Sequence, residues 1–129
     1  MTPIKTLGKD GKQNGVLIPL WHVDTGPRID QVYLTTVMPW SMKGPHLHKV
    51  RRGLFCCVRG EAIAVVRLGG EYKTFSLKPG DPALEIPPGV PVALYNPSGI
   101  EALVLNMPSP PWRVGEEDEW PVEDWDFHL

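Results

Sequence analysis

The chain has only two cysteines in 129 residues, Cys56 and Cys57, and they are neighbours. On a strand, adjacent residues point to opposite faces, so the pair reads as two buried small side chains rather than a disulfide. Nor does it offer the cysteine spacing of a zinc site. Free thiols suit a reducing compartment. Long apolar runs are also lacking. Nothing approaches the length of a membrane span, and the first residues lack the basic-then-apolar order of a secretion signal. The expectation is a cytoplasmic chain with no membrane partner. A helical period is the third absence. Fifteen prolines and thirteen glycines interrupt the sequence, and no useful stretch between them repeats apolar residues every 3.6 positions.

Short β-rich runs are present instead: VLIPLWHV (16–23), QVYLTTVM (31–38), LFCCV (54–58), EAIAVVRL (61–68), EYKTFSL (71–77), ALEIP (83–87), PVALYN (91–96) and EALVLNM (101–107). Turn residues separate them, and Gly69-Gly70 between two runs predicts a two-residue hairpin. About eight short strands with regular turns point to an all-β sandwich or barrel. At this length one domain with its own core is the simplest organisation.

The net charge of −2 hides an asymmetry. Residues 1–112 carry 12 Lys and Arg against 8 Asp and Glu, whereas the tail RVGEEDEWPVEDWDFHL sets Arg113 against seven acids. Lys43, Lys49, Arg51, Arg52, Arg59 and Arg67 crowd around two histidines. Such a local patch suits a phosphorylated small molecule and falls short of the broad basic surface of a nucleic-acid binder. The tail, with Trp112, Trp120, Trp125 and Phe127, needs an apolar surface to cover, on the barrel itself or on a second subunit.

The segment MKGPHLHKVRRGLFCCVRG (42–60) holds two of the four histidines. His46 and His48, two apart, share one face if the segment is a strand. Two imidazoles in one cavity can divide the removal and return of a proton, because histidine titrates near neutral pH. By alternation from Gly53, Phe55, Cys57 and Arg59 share the inner face, and an inward arginine calls for an anion. Lys49 faces outward. Asn96 reads as a turn residue before Pro97-Ser98-Gly99. His22 and His128 have no supporting pattern.

GPHLHKVRRGLFCCVRG followed by KPGDPALEIPPGVPVALYN (78–96) resembles the two motifs of the cupin family, and the likeness spans about residues 40 to 107. His46, His48 and Gly60 match the first motif, whose glutamate position is Gly53. Gly80, Pro87, Gly89 and Asn96 match the second, whose histidine position is Val92. The resemblance implies a single cupin-type β-barrel, a double-stranded β-helix or jelly roll. Its core would run over about 14–108, with 109–129 as an irregular acidic arm. With no donor at Gly53 or Val92 it implies a metal-free branch with no cofactor, since a His pair alone leaves too much of a metal's coordination to water.

Within the cupins, the chain resembles the sugar 3,4-ketoisomerases and dTDP-4-dehydrorhamnose 3,5-epimerases. Lys43-Gly44-Pro45-His46-Leu47-His48-Lys49 follows the former's RGxHxHK pattern, and Cys57 holds its cysteine position. Gly53 stands at its glutamine. His46 matches the general base of the epimerases, with His48 at their glutamine; their catalytic tyrosine finds only Val104 and Leu105 nearby. The resemblance implies a metal-independent isomerase or epimerase, a homodimer of such domains, acting on a dTDP-4-keto-6-deoxyhexose. His46 and His48 are the expected catalytic residues, and Lys43, Arg59, Trp40, Phe55 and Cys57 the expected substrate contacts. Two other functions are compatible with the residues: a non-catalytic cupin that binds a sugar nucleotide or small anion, and a metal-dependent cupin using the His pair.

Overall fold

In the computed structural model, which describes residues 3–21, 29–110 and 118–128, the β-rich runs pair into two sheets and a separate hairpin. The hairpin joins β1 (Ile4–Leu7) to β2 (Gln13–Leu17). One sheet places β3 (Tyr33–Val37) beside β10 (Ala102–Asn106), then β5 (Gly53–Arg59) and β8 (Leu84–Ile86). The other runs β11 (Glu119–Trp120), β4 (Met42–His48), β9 (Val92–Tyr95), β6 (Ala62–Leu68), β7 (Glu71–Leu77). Every pairing is antiparallel. The two larger sheets close on one core, the cupin-type jelly roll. Among the described residues no helix is long and apolar enough to cross a membrane.

Alternation decides what enters that core. Ala62, Ala64 and Val66 of β6, Val92 and Leu94 of β9, and Ala102 and Val104 of β10 point inward, joined by Val37, Cys57, Leu77 and Ile86. Full burial of a Val or Leu stabilises by about 1.5–3 kcal/mol. A second cluster, Leu54, Cys56 and Met107 with Leu20, Trp21, Ile29 and Ala83, covers the opposite face of the four-stranded sheet. The two cysteines are free and lie in different clusters, as adjacent strand residues must. Gly69 and Gly70 have φ of +58° and +88°, the double left-handed turn that closes β6 onto β7.

Three segments depart from the sequence expectation. The run at 16–23 ends as a strand at Leu17, ahead of Pro19, and His22 lies outside the described residues. Residues 42–48 form a strand despite Gly44 and Pro45, because the register shifts between Lys43 and His46 and a bulge absorbs them. The arm is not wholly irregular: Glu119 and Trp120 pair with His48 and Leu47 as β11. Beyond it the chain crosses the outer face of the same sheet. Arg67 Nη1 donates to the Glu123 carbonyl (2.8 Å), and Tyr72 packs against Trp125 and Phe127 at centroid distances of 5.1 and 5.5 Å. The apolar surface these two aromatics cover is therefore on their own barrel; Trp112 lies outside the described residues.

Candidate active site

A cavity of about 270 Å³ opens between the sheets, lined by polar side chains and by the apolar Phe55, Ile86, Val90, Val92 and Leu94. β4 delivers His46 and His48 to it, as their spacing of two requires. The bulge aims them. Gly44 has φ of +106°, and a Cβ there would stand 3.0 Å from His46 Cδ2 and 3.0 Å from the Val92 carbonyl oxygen. Only glycine allows that approach.

The arm sets the tautomers of both rings. His46 Nδ1 meets Glu119 Oε1, an acceptor, and so carries the proton. His48 Nδ1 donates to the Asp118 carbonyl (3.2 Å). In each neutral ring Nε2 is left as the lone-pair nitrogen. Burial lowers the His48 pKa, with the Arg51 charge adding to it, against smaller opposing effects of Asp118 and Glu119. This ring is therefore neutral at pH 7. Asp118 latches the arm: its carboxylate accepts the backbone N–H groups of Lys49, Val50 and Arg51 at 2.7–3.2 Å. Burial works to raise its pKa, but those three hydrogen bonds outweigh it and hold the carboxyl below its ordinary value.

A tyrosine reaches the cavity from β3. Asn106, only 6% exposed, accepts the Leu54 N–H on Oδ1 (3.2 Å), which turns its Nδ2 to donate to Tyr33 Oη at 2.7 Å. The phenol is thus already an acceptor, and its own hydrogen remains to be given. The resemblance to the epimerases puts Val104 and Leu105 closest to the position of their catalytic tyrosine. Those residues pair with Thr35 and Leu34, and Tyr33 sits opposite Asn106 on the neighbouring strand. Alternation along QVYLTTVM from the core residue Val37 would have put Tyr33 and Thr35 inward. Glu119 carried no comparable signal in the tail.

Of the substrate contacts expected, Lys43 and Phe55 line the cavity and Trp40, Arg59 and Cys57 do not. Lys43 is exposed at the rim, with Nζ donating to Thr35 Oγ1 and to the Thr36 carbonyl. Trp40 is 65% exposed in a turn with φ of +58°. Arg59 departs from strict alternation for a physical reason. Val104 pairs with Cys57 but Leu103 pairs with Arg59, so a bulge at Val58 turns the arginine outward. Cys57 points inward but is packed in the core, its Sγ donating to the Arg59 carbonyl (3.3 Å). Burial raises its pKa. Asn96 is fully buried and donates to the carbonyls of Val37 and Ile100, a turn-fixing role.

The donor set does not fit a tightly held metal. His46 pairs directly with Val92 across β4 and β9, and Gly53 also lines the cavity, so the four cupin positions do converge. Two of them carry no donor atom, and the Phe55 ring lies over Gly53, 3.0 Å from where a Cβ would be. Among the described residues no three His, Cys, Asp or Glu side chains gather to hold an ion.

Residues 3–119 match the family described as FdtA: WxcM-like, C-terminal. The chain belongs to that family. Among solved structures, this FdtA-family chain is similar to a dTDP sugar isomerase from Desulfovibrio desulfuricans G20, with TM-score 0.72 and 20% identity, covering 94% of this chain and 81% of that one. It is similar also to QdtA, a sugar 3,4-ketoisomerase from Thermoanaerobacterium thermosaccharolyticum solved with TDP, with TM-score 0.72 and 22% identity over 95% and 88% of the two chains. The capsular polysaccharide assembling protein CapF from Staphylococcus aureus matches with TM-score 0.64 and 20% identity; the match covers 73% of this chain but only 26% of CapF. At these identities the likeness establishes the fold. No curated protein sequence matches the chain significantly.

Proposed function

We propose that this FdtA-family chain is a nucleotide-sugar isomerase or epimerase that acts on a dTDP-4-keto-6-deoxyhexose by metal-independent enolisation. The observation that carries the reading is the pair of imidazoles in one cavity, each with Nδ1 held by the arm and Nε2 left to take a proton. The relatives support the substrate class, since one similar structure is a dTDP sugar isomerase and another is a sugar 3,4-ketoisomerase solved with TDP.

His46 Nε2 takes the proton from the carbon next to the ketone, and the C–H electron pair moves into a C=C bond while the carbonyl oxygen becomes an enediolate. Glu119 stabilises the imidazolium formed, as a carboxylate on the far nitrogen does. Tyr33, whose hydroxyl hydrogen is uncommitted, stands in the same cavity to return a proton to oxygen or carbon, and His48 Nε2 to take the proton that the adjacent hydroxyl loses. Return to the neighbouring carbon, with the adjacent hydroxyl losing its proton, moves the ketone. Return to the opposite face of the same carbon inverts it. A cavity of about 270 Å³ suits the sugar, at the low end for ligand pockets. The diphosphate then lies toward the rim, where Lys43 is the cation.

The test is solvent-deuterium wash-in to a panel of dTDP-4-keto-6-deoxy sugars. Wild type should exchange the proton next to the ketone. His46→Asn and His48→Asn should each fold and lose about two orders of magnitude or more, as removal of a general acid or base implies. TDP binding should change little. Full exchange in both folded variants would refute the assignment, and TDP binding with no exchange in wild type would favour the non-catalytic reading.

A further inference from the structure

Arg51 lies in the loop between β4 and β5, is only 7% exposed, and lines the cavity beside His48. Its backbone is fixed, since its N–H donates to Asp118 Oδ2 at 2.7 Å. Its Nε is buried with no hydrogen-bond partner, and no carboxylate among the described residues pairs with the guanidinium. Burying a charge in this way is destabilising unless an anion joins it.

The other hydrogen-bond donors around the cavity are largely committed. Lys43 Nζ is turned to Thr35 and Thr36, the Asn106 amide is used by Leu54 and Tyr33, and both histidines spend Nδ1 on the arm. Gly53 contributes no side chain. Among the described residues that line the cavity, apart from the hydroxyls of Tyr33 and Thr35, Arg51 is the donor left for a developing negative charge. Lys43 at the exposed rim is placed for the diphosphate; Arg51 is the buried one, next to the proton-transfer groups.

We propose that Arg51 is a catalytic residue that holds the enediolate oxygen, its buried guanidinium receiving the negative charge that forms when the carbon next to the ketone loses its proton. The proposal rests on the enolisation reading above. A donor aimed at charge that exists only after proton removal accelerates the step without tightening ground-state binding.

The experiment compares wild type with Arg51→Met, Arg51→Lys and Arg51→Ala, measuring thermal stability, TDP affinity by calorimetry, and kcat and KM for deuterium wash-in. Arg51→Met should fold with an unchanged or higher Tm, bind TDP within about threefold of wild type, and lose about 10²–10³ in kcat with little change in KM. Arg51→Lys should recover part of the rate, and added guanidinium ion should raise the rate of Arg51→Ala. A clearly lower Tm in both Arg51→Met and Arg51→Lys would overturn the proposal in favour of a structural arginine. Loss of TDP affinity with kcat preserved would overturn it in favour of a diphosphate contact, and an unchanged kcat would overturn it outright. If wild type itself exchanges no proton, the enolisation reading fails and the proposal falls with it; exchange in wild type with an unaffected Arg51→Met variant removes Arg51 alone.

Discussion

Glu119→Gln isolates what the arm contributes to His46. The substitution keeps the shape of the side chain and leaves the backbone pairing of Glu119 with His48 and Trp120 with Leu47 in place. It removes a charge. When His46 Nε2 takes a proton, the ring becomes a cation held against that carboxylate. Opposite unit charges at about 4 Å attract by about 1 kcal/mol in bulk water and about 4 kcal/mol at the dielectric of a protein surface. The side chains are 38% and 58% exposed, so solvent screens the pair and the contribution lies near the lower limit, at roughly 1 kcal/mol. At about 1.4 kcal/mol per factor of ten, that predicts a loss of roughly fivefold in the chemical step. Deuterium wash-in under saturating substrate reads it directly. Stability should change by less than about 1 kcal/mol, because an exposed ion pair is worth little to the fold. A Glu119→Gln variant that exchanges at the wild-type rate would show that this contact is only a surface pair. One that unfolds would show that the carboxylate anchors the arm.

Other consequences are equally open to measurement. Asp118→Ala deletes the acceptor for three backbone N–H groups and should destabilise by about 1–3 kcal/mol, with amide exchange rising first across 118–128 and in the loop at 49–51. Because folding lowers the His48 pKa from 6.5, the unfolded chain takes up that proton first. The contribution is therefore fully present above pH 6.5, declines as acid is added, and stops changing once the folded-state pKa is passed; denaturant titrations should show this slope flattened in His48→Asn. Ile4, Leu7, Val16 and Leu17 of the hairpin are all at least 50% exposed, an apolar load that a homodimer would cover, and light scattering at micromolar concentration should give twice the chain mass.

The strands that the sequence disclosed are those whose register is enforced by a buried face. β5, β6, β7, β9 and β10 each fall within a run visible by alternation or β-branching, give or take a residue at the ends. β4 was hidden because Gly44 and Pro45 are strand breakers by local rule, and the bulge that accommodates them is itself a feature of the site. The same device explains Arg59. Counting by twos from Gly53 put it inside, and the extra residue at Val58 turned it out. A bulge leaves no mark in a single sequence that distinguishes it from a regular pair.

The histidines were legible and their partners were not, for one physical reason. His46 and His48 advertise themselves by a spacing of two on a local element, whereas the groups that give them chemical roles arrive from distant chain. Glu119 and Asp118 lie about seventy positions further on, in a tail that reads from sequence as an irregular acidic arm. Tyr33 comes from the opposite sheet, held by an asparagine on a third strand. Arg51 was visible as one of several basic residues in a patch, but its burial was not, because nothing local separates a guanidinium that reaches water from one enclosed by an arm that folds back. The arm is thus the part of the chain that turns two exposed imidazoles into an ordered pair. Its backbone closes the edge of β4, its carbonyl and carboxylates select the tautomers, and its latch on residues 49–51 holds Arg51 in place. Catalysis in this chain should therefore follow the docking of residues 118–120 more closely than the stability of the barrel beneath them.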